Sequence, residues 1–168
     1  ETDAEIQRSL VISTNGNSGT VEFLEADVAS GQTTFINIDA FVVDTDRDVV
    51  LNGSDQDDRL YIREAQTVDF NGGAGTDRLD LRGVETYDDD NKRVDFTRQI
   101  FEDWAFIEQT DSGEILIRDE KTGEIIIRLK DVEEIRFANG TDEGEVVNVS
   151  DLVASSEGGT TVQIEEDN

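Results

Sequence analysis

Between Ile38 and Leu81 the chain repeats one short phrase, an acidic or polar residue, a spacer and an apolar residue: Asp39-Ala40-Phe41, Asp48-Val49-Val50, Asp58-Arg59-Leu60, Val68-Asp69-Phe70 and Asp77-Arg78-Leu79. The apolar members Phe41, Val50, Leu60, Phe70 and Leu79 stand 9, 10, 10 and 9 residues apart. With turn-forming residues between them, this interval suits half a coil of a parallel β-solenoid, in which a short strand, a tight loop and a strand on the opposite wall follow one another. The spacing predicts that Phe41, Leu60 and Leu79 stack on one wall and Val50 and Phe70 on the other. Acidic β-rich chains also produce such intervals by chance, so the loops between the strands have to decide.

Gly72-Gly73-Ala74-Gly75-Thr76-Asp77-Arg78-Leu79-Asp80 matches the nonapeptide GGxGxDxUx at every fixed position. Glycines permit positive φ and close backbone approach, so several carbonyl oxygens can turn toward one point, and Asp77 adds a carboxylate. Hard oxygen donors from a loop are what calcium requires. A worn copy, Gly53-Ser54-Asp55-Gln56-Asp57-Asp58-Arg59-Leu60, precedes it by 19 residues, with Gln56 where a glycine would stand. One coil apart, the two loops would lie about 4.8 Å from each other. The expected metal residues are therefore Gly53, Asp55, Asp57, Asp58, Gly73, Gly75 and Asp77, with Asp58 and Asp77 as the principal carboxylates. The alternate carboxylates Asp44, Asp46 and Asp48 form a second candidate calcium site of the D-x-D-x-D kind, shared with Asp69 one coil later, against the competing reading of a solvated loop. Asp88-Asp89-Asp90, beside Lys92 and Arg93, reads as an exposed turn.

Composition narrows the chemistry. The formal charge is −27, and Cys, His, Met and Pro are all absent. Zinc and thiolate sites, nucleophile systems built on Cys or His, and disulfides are thereby excluded, leaving oxygen chemistry. Such acidity makes the compact state repel itself unless cations bind. It also disfavours a nucleic-acid partner, since Lys92, Lys121 and Lys130 are the only lysines. No apolar run is long enough for a membrane span, so no membrane insertion is expected, and a chain opening on Glu1 is expected to be an excised part of a longer protein. Carboxylate pairs abound, but no motif sets one in an apolar pocket and no His can shuttle protons, so the chain is not expected to be an enzyme.

After the repeat the pattern changes to hairpins. Trp104–Gln109, Glu114–Arg118, Glu124–Leu129 and Glu134–Phe137 are strand-like, with turns containing Gly113 and Gly123 and period-two spacing of Ile115, Ile117, Ile125, Ile127 and Leu129. Arg118, Arg128 and Arg136 fall on the outer face or an edge. Helix evidence is thin, limited to the spacing of Ile100, Phe101, Trp104 and Ala105, and the aromatics Phe101, Trp104 and Phe106 read as core. The fold class is all-β, a short parallel β-roll or β-solenoid followed by an antiparallel β-meander cap. The expected divisions are a polar lead-in over residues 1–19, the roll over 20–84, the meander over 85–153 and a flexible acidic tail over 154–168.

On these motifs the chain resembles the RTX family, the calcium-binding repeat proteins exported by Gram-negative type I secretion systems. The resemblance extends past the nonapeptide to Asp131-Val132-Glu133-Glu134-Ile135-Arg136-Phe137-Ala138-Asn139-Gly140-Thr141 and Ser150-Asp151-Leu152, covering residues 35–153. Only one repeat is complete, whereas calcium-rich members carry many. The resemblance implies calcium as cofactor, export while unfolded, folding in extracellular calcium, and an extracellular or cell-surface location. The expected function is a calcium-dependent folding module of a larger secreted or surface protein. The alternative is an adhesin or surface-layer module that binds a surface glycan or peptide. A third reading, adaptation to high salt, predicts stabilisation by monovalent salt without calcium.

Overall fold

The computed structural model describes residues 8–15, 18–25, 28–36, 40–87 and 91–157. Three strands open it, β1 (Arg8–Asn15), β2 (Ser18–Glu25) and β3 (Val28–Ile36). The repeat region forms β4 (Ala40–Asp44), β5 (Asp48–Asn52), β6 (Arg59–Glu64), β7 (Val68–Asn71) and β8 (Arg78–Asp80). A small hairpin of β9 (Glu85–Tyr87) and β10 (Arg93–Asp95) leads to helix α1 (Arg98–Trp104). There follow β11 (Ala105–Gln109), β12 (Ile115–Asp119), β13 (Ile125–Lys130), β14 (Glu134–Phe137), β15 (Glu145–Asn148) and helix α2 (Val149–Glu157). The protein is thus mostly β, with two main sheets of mixed parallel and antiparallel strands in the orders β11-β12-β13-β7-β5-β1-β2-β3 and β15-β14-β8-β6-β4.

From β4 to β8 the chain passes alternately between these sheets, and each strand lies parallel to the one a full turn earlier. Phe41, Leu60 and Leu79 are in register and buried, as the spacing predicts. On the facing sheet the inward residues are Val49 and Leu51, in register with Val68 and Phe70, whereas Val50 sits opposite Asp69. The expected pairing of Val50 with Phe70 is therefore one residue out of phase. Val49-Val50-Leu51 is an unbroken apolar run, and alternation cannot phase a run that does not alternate.

The second half departs further from a separate meander. β11, β12 and β13 do pair antiparallel, but the far side of β13 lies parallel to β7, with Ile127 opposite Val68 and Leu129 opposite Phe70. Likewise β14 lies parallel to β8, placing Ile135 opposite Leu79. These two strands continue the parallel rows for one more turn, because the apolar inner faces of β7 and β8 require cover and Ile127, Leu129, Ile135 and Phe137 supply it. The excursion from Leu81 to Glu124 replaces what would otherwise be one short loop.

The lead-in is also more ordered than its polar character suggests. β1 is parallel to β5, with Ile12 opposite Leu51 and buried between the neighbouring rows. Residues 1–7 lie outside the described residues, as do Asp88–Asp90 and 158–168, so the expected exposed turn and most of the expected tail fall there; 154–157 belong to α2. Thr97 caps α1, accepting from Ile100 N–H, and turns Phe101 into the core, where it meets Phe96 and Phe137. Trp104 packs edge-on against Phe96, but Phe106 is exposed, contrary to its expected core position, because β11 directs it away from Ile107. No helix among the described residues is long and apolar enough to cross a membrane.

Candidate functional site

The two glycine-rich loops of the repeat lie at one end of the strands, with a third, shorter loop beside them. The β5–β6 loop (Gly53 to Asp58), the β7–β8 loop (Gly72 to Asp77) and the shorter β13–β14 loop (Asp131 to Glu133) stack in that order. Backbone bonds tie each to the next. Gly53 N–H donates to Asn71 O at 2.7 Å, Ala74 N–H to Ser54 O at 3.0 Å and Gly72 N–H to Lys130 O at 2.8 Å. Stacking at this distance leaves no room for side chains. A Cβ on Gly72 would lie 2.0 Å from Asp131 O, and one on Gly73, whose φ is +99°, 2.1 Å from Ser54 O. The glycines of the nonapeptide are therefore required by the contact between successive loops as well as by their own turn.

The closing acid of each loop turns inward. Asp58 and Asp77 are buried, at 2% and 0% exposure. Asp58 Oδ2 accepts from Ser54 N–H at 2.7 Å and from Ser54 Oγ at 3.0 Å. Asp77 Oδ1 accepts from Asp58 N–H at 2.7 Å, and Glu133 Oε2 accepts from Asp77 N–H at 2.8 Å. A carboxylate from each later loop thus holds the amide of the acid one turn before. The second oxygen, Asp77 Oδ2, is buried and has no hydrogen-bond partner. Burial, followed by the charges of Asp58, Glu133 and Asp57, pushes the Asp77 carboxyl up to about 6 against the opposing Asp58 amide.

The structure therefore brings Gly53, Asp57, Asp58, Gly73, Gly75 and Asp77 to one end. Asp57 is exposed and accepts from Thr76 N–H at 2.9 Å; Asp55 is exposed in the first loop. Gln56 and Gly75 occupy equivalent positions, yet Gly75 has φ +127° while Gln56 is not among the residues of positive φ, so the two loops differ in path there. Asp44, Asp46 and Asp48 belong to the β4–β5 turn at the opposite end of the strands. Asp44 and Asp46 are exposed, and Asp48 accepts from Thr67 Oγ1 at 2.7 Å. Asp69 lies 3.5 Å from Arg128 Nε, and burial raises its pKa while that guanidinium opposes the rise.

Glu133 is the residue that sequence reasoning missed. Its signal was present, since Glu133-Glu134-Ile135 repeats the acid, spacer, apolar phrase of Asp58-Arg59-Leu60 and Asp77-Arg78-Leu79. The long excursion hides the period. Among the described residues no group of three or more acidic side chains is arranged to hold a metal by itself. An ion at this end would draw its other oxygens from loop carbonyls, and among the described residues the one buried carboxylate oxygen without a partner is Asp77 Oδ2. That donor set fits a hard cation such as calcium.

No protein-family model, curated protein or solved structure compared with this chain matches it.

Proposed function

We propose that this chain is a calcium-binding module whose folding is coupled to the ion, built as a short parallel β-roll within a larger secreted or cell-surface protein of the RTX type. The observation that carries the reading is the buried Asp77 carboxylate, one oxygen on the Asp58 amide and the other unpartnered, between stacked glycine loops. The alternation of β4 to β8 between two sheets, extended by β13 and β14, supports the roll.

A buried charge without compensation is costly, and two remedies exist, protonation or a cation. In millimolar calcium the cation prevails. Asp77 supplies its free oxygen, the glycine loops supply carbonyls, and Asp57 and Glu133 add negative potential beside them. Without calcium the same carboxylates oppose stacking of the loops, and the −27 charge favours an expanded chain. In this reading the residues bind and fold rather than catalyse.

Circular dichroism and thermal melting in EDTA, calcium and magnesium test it. Calcium should raise the melting temperature and the β signal, and magnesium should do so poorly, because it demands octahedral geometry and dehydrates reluctantly. Identical melting in EDTA and millimolar calcium would overturn the reading, and stabilisation by sodium chloride alone would favour adaptation to salt.

A further inference from the structure

The pair Asn-Gly recurs along the chain, at Asn15-Gly16, Asn52-Gly53, Asn71-Gly72 and Asn139-Gly140. In such a pair the backbone nitrogen of the glycine stands within reach of the asparagine side-chain carbonyl carbon, and glycine has no side chain to obstruct the approach. Gly16 lies outside the described residues, and the other three pairs sit in contrasting surroundings.

Asn52-Gly53 and Asn71-Gly72 open the two stacked loops. Gly53 N–H donates to Asn71 O at 2.7 Å and Gly72 N–H to Lys130 O at 2.8 Å, so both nitrogens have their protons engaged and their direction fixed. Neither glycine has room to move, since even a Cβ on Gly53 would collide with Gly72 O and one on Gly72 with Asp131 O. The carbonyl that would be attacked is no better prepared, for Asn71 Oδ1 is buried with no hydrogen-bond donor to polarise it. Asn139-Gly140, in the turn between β14 and β15, reverses each of these conditions. Both residues are exposed, Gly140 has φ +79°, and a Cβ placed on it would meet nothing within 4 Å. Among the described residues no group accepts from Gly140 N–H. Asn139 Oδ1 instead accepts from Thr141 N–H at 3.0 Å and from Thr141 Oγ1 at 2.6 Å. Two donors on one carbonyl oxygen draw electron density from Cγ and already stand where negative charge develops when Cγ is attacked.

We propose that Asn139-Gly140 is a site of spontaneous covalent modification in the folded protein, activated by Thr141, and that stacking of the glycine loops shields Asn52 and Asn71 from the same reaction. Hydroxide removes the Gly140 amide proton, the nitrogen forms a bond to Asn139 Cγ, and the Cγ–Nδ2 bond breaks, the departing nitrogen taking a proton from water and leaving as ammonia. The product is a five-membered succinimide ring. Water then opens the ring at one of its two carbonyls to give aspartate or isoaspartate, so the net change is one water consumed and one ammonia released. Either product adds a carboxylate to the turn, and isoaspartate also lengthens its backbone by one methylene group. The reaction needs only water and hydroxide, so it does not depend on calcium binding at the glycine loops.

Incubation of the full chain at mildly alkaline pH, in millimolar calcium or in urea, followed by peptide mapping with mass spectrometry, tests this. In the folded chain, verified by circular dichroism, Asn139 should convert to a mixture of isoaspartate and aspartate, while Asn52 and Asn71 should convert at least about tenfold more slowly, because their reaction has to wait for local opening of the loops. In urea the three rates should converge. Thr141→Val removes one of the two donors to Asn139 Oδ1, so it should slow conversion of Asn139 severalfold in the folded chain and leave it unchanged in urea. Equal rates at the three sites in the folded chain, an Asn139 that stays intact or yields aspartate alone, or a folded Thr141→Val chain that converts as fast as the wild type would each overturn the proposal.

Discussion

Asp77 is where charge, burial and backbone geometry meet. In the unfolded chain its carboxyl titrates near 3.9, and in the folded protein burial and the neighbouring acids push it up to about 6. The unfolded state therefore loses its proton first as pH rises. The stability associated with this group is intact below about pH 4, declines between about 4 and 6, and is gone above. In EDTA, denaturant midpoints should fall across that window, and Asp77→Asn should flatten the fall. Calcium, which binds the ionised form, should flatten it in the wild type too. A slope in EDTA that Asp77→Asn leaves untouched would assign the pH dependence to other acids. Gln56 gives a second prediction. The φ of Gln56 does not require glycine, so Gln56→Gly should cost about 0.5–1 kcal/mol through backbone entropy without tightening calcium. A tighter calcium isotherm for that variant would mean that the first loop can adopt the path of the second.

Among the elements, β13 and β14 matter most. They fill the same inward rows as the repeat, so Leu129→Ala and Ile135→Ala should each destabilise by about 2–5 kcal/mol, as Leu60→Ala should. Denaturant melts check this, and near-neutral effects at Leu129 and Ile135 would restore a detachable cap. The 19-residue stacking of Asp58 on Asp77 was legible in the sequence because pattern and loop chemistry repeat within a short stretch. The third turn was not, since the excursion separates Asp77 from Glu133 by 56 residues and a period interrupted that far cannot be counted. The phase of β5 was lost in its apolar run, and β1 was missed because Leu10-Val11-Ile12 is one short apolar run without alternation between polar flanks.

At the scale of the molecule, the −27 charge acts everywhere, whereas the orphaned oxygen of Asp77 acts at one point. Sodium chloride can screen the first and cannot satisfy the second. Matched ionic strengths of sodium chloride and calcium chloride should therefore give different melting temperatures, with calcium the higher. The central claim is tested most directly by calorimetric titration of calcium into the wild type and into Asp77→Asn. The account predicts that Asp77→Asn loses at least one bound ion and, at a calcium concentration about a hundredfold above Kd, about 2.7 kcal/mol of calcium-dependent stability. Unchanged stoichiometry and affinity in Asp77→Asn would contradict it, leaving the glycines as spacers between stacked loops and moving any bound calcium elsewhere.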